Sequence, residues 1–167
     1  MDEVEGTRAT IVDTRKTVPL LRSLQKHAVV AGGGRNHRMG LHDQVLIKDN
    51  HIQAVGSAAE AVGRARRHLA ERYGGEGIAV EVEIESVADL EPVIEAGADV
   101  VLLDNMAPGE MRRAVEIAGG RVLLEASGGI TLETARAVAE SGVDLISVGW
   151  LTHSAPALDV ALEFEPA

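Results

Sequence analysis

The residues of this sequence best suited to chemistry include three acids in one short run, Val80-Glu81-Val82-Glu83-Ile84-Glu85. Side chains of a β-strand point alternately to its two faces, so this run places all three carboxylates on one face. If the apolar face packs beneath helices, the carboxylates point into the interior, where unpaired charge is very costly. The available counter-charges are Lys48, Arg15 and a divalent metal that Asp104 could share through its oxygens. The alternative is an edge strand with a solvated acidic face.

A second candidate is a cationic site in the first third of the chain. The glycines of Gly32-Gly33-Gly34-Arg35-Asn36-His37-Arg38 permit close approach to a ligand, and arginine can hold a carboxylate through two parallel hydrogen bonds. Residues 1–51 contain eight Lys and Arg against six Asp and Glu, although the whole chain has a net charge of −10. This distribution predicts a local site for a small anionic ligand. The alternative is a surface loop with solvated charges.

A third candidate is a phosphate site. The segment Ser127-Gly128-Gly129-Ile130-Thr131 sets a hydroxyl and two unencumbered backbone N–H groups before a predicted helix, with Thr131 as its N-cap. Such helix starts bind phosphate through their amides. Gly149 follows the next predicted strand, and α/β-barrels often build a phosphate site from their last two strand-end loops. The alternative is a tight turn that needs glycine only for its geometry.

The elements that must position these residues alternate between strand and helix. Six strands are predicted, at residues 10–13, 45–48, 79–85, 100–104, 122–125 and 145–148. Helix starts are indicated by Pro19, Ser57, Ser86 and Pro108. This alternation predicts parallel strands whose carboxyl ends form one rim, so the candidate residues converge there. Because six strands are fewer than eight, an incomplete TIM-like α/β barrel competes with an open doubly wound sheet.

Composition narrows the class of protein. The 167 residues contain 46% hydrophobic and 25% charged residues, which is typical of a globular domain, and a single domain spanning 1–167 is expected. One Trp, one Tyr and one Phe leave little to stack on nucleic-acid bases, so no nucleic-acid partner is expected. The absence of Cys excludes disulfides and zinc–thiolate sites. With an acidic start and no long apolar run, a cytoplasmic protein without membrane contact is expected.

Seven motifs in order resemble one known family, quinolinate phosphoribosyltransferase, the carboxylating nicotinate-nucleotide pyrophosphorylase. The resemblance runs from about Ala9 to Asp159. Its motifs are Thr14-Arg15-Lys16-Thr17 with Pro19, the glycine loop through Gly40, Leu46 to His51, the acidic strand, Leu103-Asp104-Asn105, Glu125 to Ile130, and Ser147-Val148-Gly149 through Ala155.

The resemblance implies transfer of phosphoribosyl from phosphoribosyl pyrophosphate to quinolinate with Mg²⁺. The products would be nicotinate mononucleotide, pyrophosphate and CO₂, a step of de novo NAD biosynthesis. By motif position, the quinolinate carboxylates would be held by Arg15, His37, Arg38 and Lys48, with Lys16 near the anionic ligands. Glu83 and Asp104 would bind ribose and metal and, with Lys48, form the catalytic group. The 5′-phosphate would be bound by Ser127, Gly128, Gly129 and Gly149.

Two departures from the family pattern accompany the resemblance. The resemblance implies a family of two-domain chains that form homodimers, in which the N-terminal domain of one subunit covers the barrel of the other. That N-terminal domain has no counterpart in this sequence. Trp150 stands where the family usually has a small residue. The resemblance therefore implies a barrel domain that pairs with itself or with a separate N-terminal domain. Two alternatives remain, a related transferase for another aromatic acid and a non-catalytic fragment that binds ligand or a partner.

Overall fold

A computed structural model describes residues 1–75 and 77–165, and its centre is a six-stranded parallel sheet. The strand order is β1-β6-β5-β4-β3-β2, and every neighbouring pair is parallel. The strands are β1 (Thr10–Val12), β2 (Val45–Ile47), β3 (Val80–Ile84), β4 (Val100–Asp104), β5 (Leu123–Ser127) and β6 (Leu145–Ser147). The prediction of six parallel strands is confirmed.

The strand order distinguishes the two predicted architectures. From β2 to β6 each strand lies beside the next in sequence, and β1 then pairs with β6. This is the circular order of a barrel, interrupted only between β1 and β2, whereas a doubly wound sheet reverses its order at a switch point. The incomplete barrel is therefore confirmed over the open sheet.

Seven α-helices and two short 3₁₀ helices accompany the strands in the described residues. The helices are α1 (Arg22–Ala31), α2 (Asp49–Val55), α3 (Ala58–Tyr73), α4 (Leu90–Glu95), α5 (Pro108–Ala118), α6 (Leu132–Ala139) and α7 (Trp150–His153), with 3₁₀ helices at Asp2–Val4 and Val87–Asp89. None of the helices in these residues is long and apolar enough to cross a membrane.

Most of the predicted helix starts agree with the structure. The Ser57 hydroxyl accepts a hydrogen bond from the Glu60 amide at 3.2 Å, as an N-cap should, and α5 begins at Pro108. Ser86 caps a 3₁₀ helix. The start at Pro19 is wrong, because Leu20 adopts a left-handed backbone conformation (φ 66°) that ends any helical turn there, and α1 begins at Arg22.

The two faces of β3 separate the core from the barrel interior. Val80, Val82 and Ile84 join the apolar cluster formed with the helices, whereas Glu81 is fully buried on the other face. Glu83 is partly buried. The prediction that Glu85 shares this interior face is wrong, because β3 ends at Ile84 and the Glu85 side chain is exposed.

Residues 35–38 follow the glycine loop and bridge part of the gap between β1 and β2. The Arg35 amide donates to the Ile11 carbonyl at 2.9 Å, and the Asp13 amide donates to the Arg35 carbonyl at 3.2 Å. A buried ion pair between Lys26 and Asp13 fixes this segment, since Lys26 Nζ donates to the His37 carbonyl at 3.0 Å and Asp13 Oδ1 accepts from the His37 amide at 2.9 Å. The segment extends the barrel where it lacks a strand.

We predict that Lys26→Met lowers the free energy of unfolding by about 3–5 kcal/mol, because it leaves the fully buried Asp13 carboxylate without its counter-charge. The matched control is Arg121→Met, which removes an exposed pair with Glu91 and should cost far less because solvent screens that pair. Urea unfolding of both variants measures the difference. Equal losses in the two variants would show that the buried pair has no special structural role.

Candidate active site

A cavity of about 660 Å³ opens at the carboxyl ends of the strands. It is lined by every residue that the sequence analysis assigned to the site, namely Arg15, Lys16, His37, Arg38, Lys48, Glu83, Asp104, Ser127, Gly128, Gly129 and Gly149. Convergence of the strand ends is thus confirmed, and the role of each residue remains a prediction.

The barrel order divides the wall of this cavity into three sectors. Cations come from the loops after β1 and β2 and from residues 35–38, acids from β3 and β4, and glycines from the loops after β5 and β6. Asp104 and Ser127 are register partners on neighbouring strands, so the acidic sector adjoins the glycine sector. An elongated ligand would meet cations at one side and backbone amides at the other.

Lys48 and Glu83 form the ion pair that the sequence analysis anticipated. Lys48 Nζ lies 2.6 Å from Glu83 Oε2, and the Glu83 side chain is 12% exposed against 48% for Lys48. Asp104 Oδ2 accepts a hydrogen bond from the side-chain Nδ2 of Asn105 at 2.7 Å. Glu83 and Asp104 therefore present carboxylate oxygens to the cavity from adjacent strands, which suits Mg²⁺, an ion usually held by one or two carboxylates together with waters and phosphates.

Three side chains from separate elements meet within the barrel, the largely buried His37 and the fully buried Glu81 and Glu125, which we call the interior cluster. His37 Nε2 lies 3.0 Å from Glu81 Oε2 and 3.3 Å from Glu125 Oε2. Gln44 Nε2 donates to Glu81 Oε2 at 2.7 Å. Glu81 is therefore paired with His37 and hydrogen-bonded by Gln44 rather than by the expected Arg15, and a metal partner stays a prediction.

The donor atoms of the interior cluster are close enough to suggest a metal, but the ring of His37 argues against one. Its Nδ1 accepts a hydrogen bond from the Arg38 amide at 2.7 Å. A histidine bound to metal through Nε2 carries its proton on Nδ1 and needs an acceptor there, not a donor. Among the described residues Glu81 Oε1 and Glu125 Oε2 are buried without a hydrogen-bond partner, so the cluster is an incompletely satisfied group of two acids around His37.

The carboxylates of the interior cluster control the charge of His37. Burial opposes protonation of the ring, but hydrogen bonds and charge from Glu125 and Glu81 outweigh it and raise the pKa of His37 to about 10. In contrast to its effect on His37, burial raises the pKa of Glu81, and the hydrogen bond with His37 opposes that increase. With a pKa of about 10 the ring carries protons on both nitrogens at neutral pH, and the proton on Nδ1 opposes the Arg38 amide 2.7 Å away, so the charge of His37 and the backbone at Arg38 are coupled.

Arg15 and Arg38 provide neighbouring positive charges. Burial and the charge of Arg15 lower the pKa of Arg38. Arg22, which the sequence analysis did not single out, holds the loops together by donating to the Arg15 carbonyl at 3.0 Å and to the Met39 carbonyl at 3.2 Å. Its helical position beside two loops carries no sequence signal for this role.

The glycines of the candidate phosphate loop have different constraints. Gly128 has φ 100°, and a Cβ there would lie 2.1 Å from Asn105 Oδ1, so only glycine fits. Gly129 has φ 57° and open space at its Cβ position. In the described residues, the amides of Gly128 and Gly129 donate to no protein acceptor. These amides are available to an anion.

Further cavity residues were not predicted to act. His153 lines the cavity, and its Nε2 would lie 3.1 Å from a Cβ at Gly149. Trp150, the first residue of α7, also lines the cavity and is half-buried. Glu125 reaches the interior because it alternates with the buried Leu124 and Ala126. The same alternation that identified the acids of β3 would have identified Glu125.

Fold and site together define an α/β-barrel domain whose cavity presents cations, acids and glycine-loop amides at one rim. Residues 1–163 match the family model described as quinolinate phosphoribosyl transferase, C-terminal domain. The chain belongs to this family.

Similar proteins support this assignment. The chain is 48% identical over 160 residues to a probable nicotinate-nucleotide pyrophosphorylase [carboxylating] of Bacillus subtilis, covering 96% of this chain and 54% of that protein. It is 46% identical over 166 residues to the Mycobacterium leprae nicotinate-nucleotide pyrophosphorylase [carboxylating], covering 98% and 56%. The crystal structure of NadC from Streptococcus pyogenes superposes with a TM-score of 0.86 at 42% identity, covering 95% of this chain and 54% of that one. The chain thus spans about half the length of these relatives.

We predict that the free energy of unfolding declines as pH rises from about 6.5 to about 10. The folded-state pKa of His37 is above the unfolded value, so its contribution is complete below about 6.5 and is lost as pH rises through about 10. The raised pKa of Glu81 acts in the same direction. Denaturant unfolding at both ends of this range should show a decline on the order of 5 kcal/mol that His37→Gln largely removes. An equal decline in His37→Gln would assign the effect to other groups.

Proposed function

We propose that this chain carries the barrel half of a quinolinate phosphoribosyltransferase active site. The observation that supports this most is the cavity wall, where dicarboxylate-binding cations, metal-binding acids and phosphate-binding amides occupy consecutive sectors. Both proposed substrates, quinolinate and phosphoribosyl pyrophosphate, are polyanions. Without the cations of the cavity, a chain with a net charge of −10 would repel them. The same proposal places the reaction in the cytoplasm as a step of NAD biosynthesis.

The proposed chemistry needs positioning and charge stabilisation more than a covalent nucleophile. The quinolinate nitrogen attacks the anomeric carbon of the ribose, and the bond from that carbon to pyrophosphate breaks with its electron pair leaving on pyrophosphate. The adjacent carboxylate departs as CO₂, and a proton replaces it on the ring. Nicotinate mononucleotide is the result.

Each sector of the cavity has a part in this proposal. Arg15, Arg38 and Lys48 bind the quinolinate carboxylates, with Lys16 close to the anionic groups, and Ser127 to Gly129 with Gly149 bind the 5′-phosphate. His37 belongs to the same sector as Arg38, although its ring nitrogens are occupied by Arg38 and the interior cluster. Glu83 and Asp104 bind ribose hydroxyls and would hold Mg²⁺, which supplies positive charge to the leaving pyrophosphate.

The proposal includes a partner that covers the barrel mouth. Leu20 follows Arg15 and Lys16 in the loop after β1, Leu41 lies between Arg38 and β2, and both side chains are exposed. Apolar surface at the mouth of a polar cavity suits an interface, and catalysis by fixed charges requires water to be excluded. A second copy of the chain or a separate N-terminal domain would serve. Because the chain spans about half of its relatives, ligand binding without turnover is the second candidate function.

We predict that Arg38→Ala abolishes preference for quinolinate over nicotinate, which lacks the second carboxylate. The loss of a charge-assisted hydrogen bond costs roughly 1.5–3 kcal/mol, or about 10- to 100-fold in affinity. Calorimetric titration of both acids measures the ratio, and the exposed Arg64→Ala is the control. Equal binding of the two acids by the unaltered chain would overturn the proposed substrate class. Nicotinate mononucleotide formation, with and without the N-terminal half of a relative, separates turnover from binding.

We also predict that Gly129→Ala weakens phosphoribosyl pyrophosphate binding about tenfold, because the added methyl enters the space beside the free amides. Gly120→Ala is a matched control, since Gly120 also has positive φ and open space but does not line the cavity. Gly128 is unsuitable for this test because any side chain would collide with Asn105. Calorimetry should show weaker binding only in Gly129→Ala, whereas equal affinity in both variants would exclude this loop as the phosphate site.

A further inference from the structure

The interior cluster contacts Arg38 through two separate routes. In the first, His37 Nε2 lies 3.0 Å from Glu81 Oε2 and 3.3 Å from Glu125 Oε2, while Nδ1 of the same ring lies 2.7 Å from the Arg38 amide nitrogen. In the second, Gln44 Nε2 donates to Glu81 Oε2 at 2.7 Å, and the backbone carbonyl of Gln44 accepts from Arg38 Nη1 at 3.4 Å. Glu81 belongs to both routes and Glu125 to the first alone.

The peptide of His37 is anchored independently of the interior cluster. Its amide donates to Asp13 and its carbonyl accepts from Lys26, two groups that are buried and paired with each other. The backbone on the amino-terminal side of the ring is therefore fixed by β1 and α1. A change in the cluster should alter the His37 ring and its contact with Arg38 while leaving the barrel closed.

Arg38 needs such support because a second guanidinium lies near it. Arg15 and Arg38 line the same cavity, and burial together with the charge of Arg15 lowers the pKa of Arg38, as expected for two cations that repel each other. Two like charges held close together are unfavourable until an anion binds between them. A ligand with two adjacent carboxylates relieves the repulsion best, provided that both cations are held in place before it binds.

We propose that Glu81, Glu125 and Gln44 are positioning residues that fix Arg38 for a ligand bearing two adjacent carboxylates. They act through the His37 ring and the Gln44 carbonyl and require no contact with the ligand. The inference deepens the proposed function, on which it rests for the assignment of Arg38 to a carboxylate. Selectivity would then depend on these three residues as well as on the cations that line the cavity.

Three variants separate the two routes. Glu125→Gln keeps the shape of the side chain and weakens the His37 route, Gln44→Ala removes the side-chain link of the second route, and Glu81→Gln weakens both. Glu85→Gln is the matched control, because it makes the same change at the end of the same strand on an exposed side chain. The measurement is the ratio of quinolinate to nicotinate affinity by calorimetry.

We expect Glu81→Gln to reduce this ratio about tenfold, because a charged hydrogen-bond acceptor is lost from both routes. Glu125→Gln and Gln44→Ala should each reduce it less, and Glu85→Gln should leave it unchanged. Nuclear magnetic resonance of Arg38 supplies a readout that general destabilisation would not produce. The Arg38 amide signal should shift in Glu125→Gln, the guanidinium signal in Gln44→Ala, and both in Glu81→Gln.

The outcomes distinguish this inference from the proposed function. If the unaltered chain binds neither acid, or binds both equally, the proposed substrate fails, and the pattern of Arg38 signals still decides whether the two routes exist. If the unaltered chain prefers quinolinate and all three variants keep that preference with unchanged Arg38 signals, the inference is wrong. Should Glu81→Gln fail to fold, Glu125→Gln and Gln44→Ala decide it by the same two measurements.

Discussion

The arrangement of this domain depends on how its barrel is closed where a strand is missing. Residues 35–38 cover part of the gap between β1 and β2, and the buried pair of Lys26 with Asp13 holds them there by their backbone. A buried ion pair is seldom the most stabilising choice for a core. Here it serves geometry, because an amine and a carboxylate satisfy both the amide and the carbonyl of His37, which apolar residues of the same volume would leave unsatisfied.

Three acids on one strand meet three different environments. Glu81 is fully buried and contacts His37 and Gln44, Glu83 is partly buried and pairs with Lys48, and Glu85 is exposed to solvent. The cost of leaving a carboxylate without partners rises with burial, and Glu81 remains only partly satisfied because its Oε1 has no hydrogen-bond partner among the described residues. Of these three acids, only Glu83 lines the cavity. Position along the strand therefore separates a structural acid from one that can meet a ligand.

Much of the fold and the location of the site could be predicted from local patterns. Strands of five residues with alternating or continuous apolar residues identified β3 and β4, and glycine pairs marked the loop after β5, because these signals lie within a few neighbouring residues. The interior cluster could not be predicted in the same way, since His37 and Glu125 are 88 positions apart and meet only through barrel closure. The tight approach of Gly128 to Asn105 is equally non-local.

The cavity combines rigid and adaptable groups in a way that follows from this closure. Arg38 is tied to buried elements through His37 and Gln44, whereas Lys48 is half-exposed and held by a single carboxylate. A rigid guanidinium with fixed directions favours one ligand geometry, while a lysine on a flexible stem follows whatever charge is present. For the proposed ring-dicarboxylate ligand, selectivity would therefore come from the arginine side of the cavity. The lysine is better suited to a group whose charge changes as a reaction proceeds, and its pairing with Glu83 places it beside the proposed metal site.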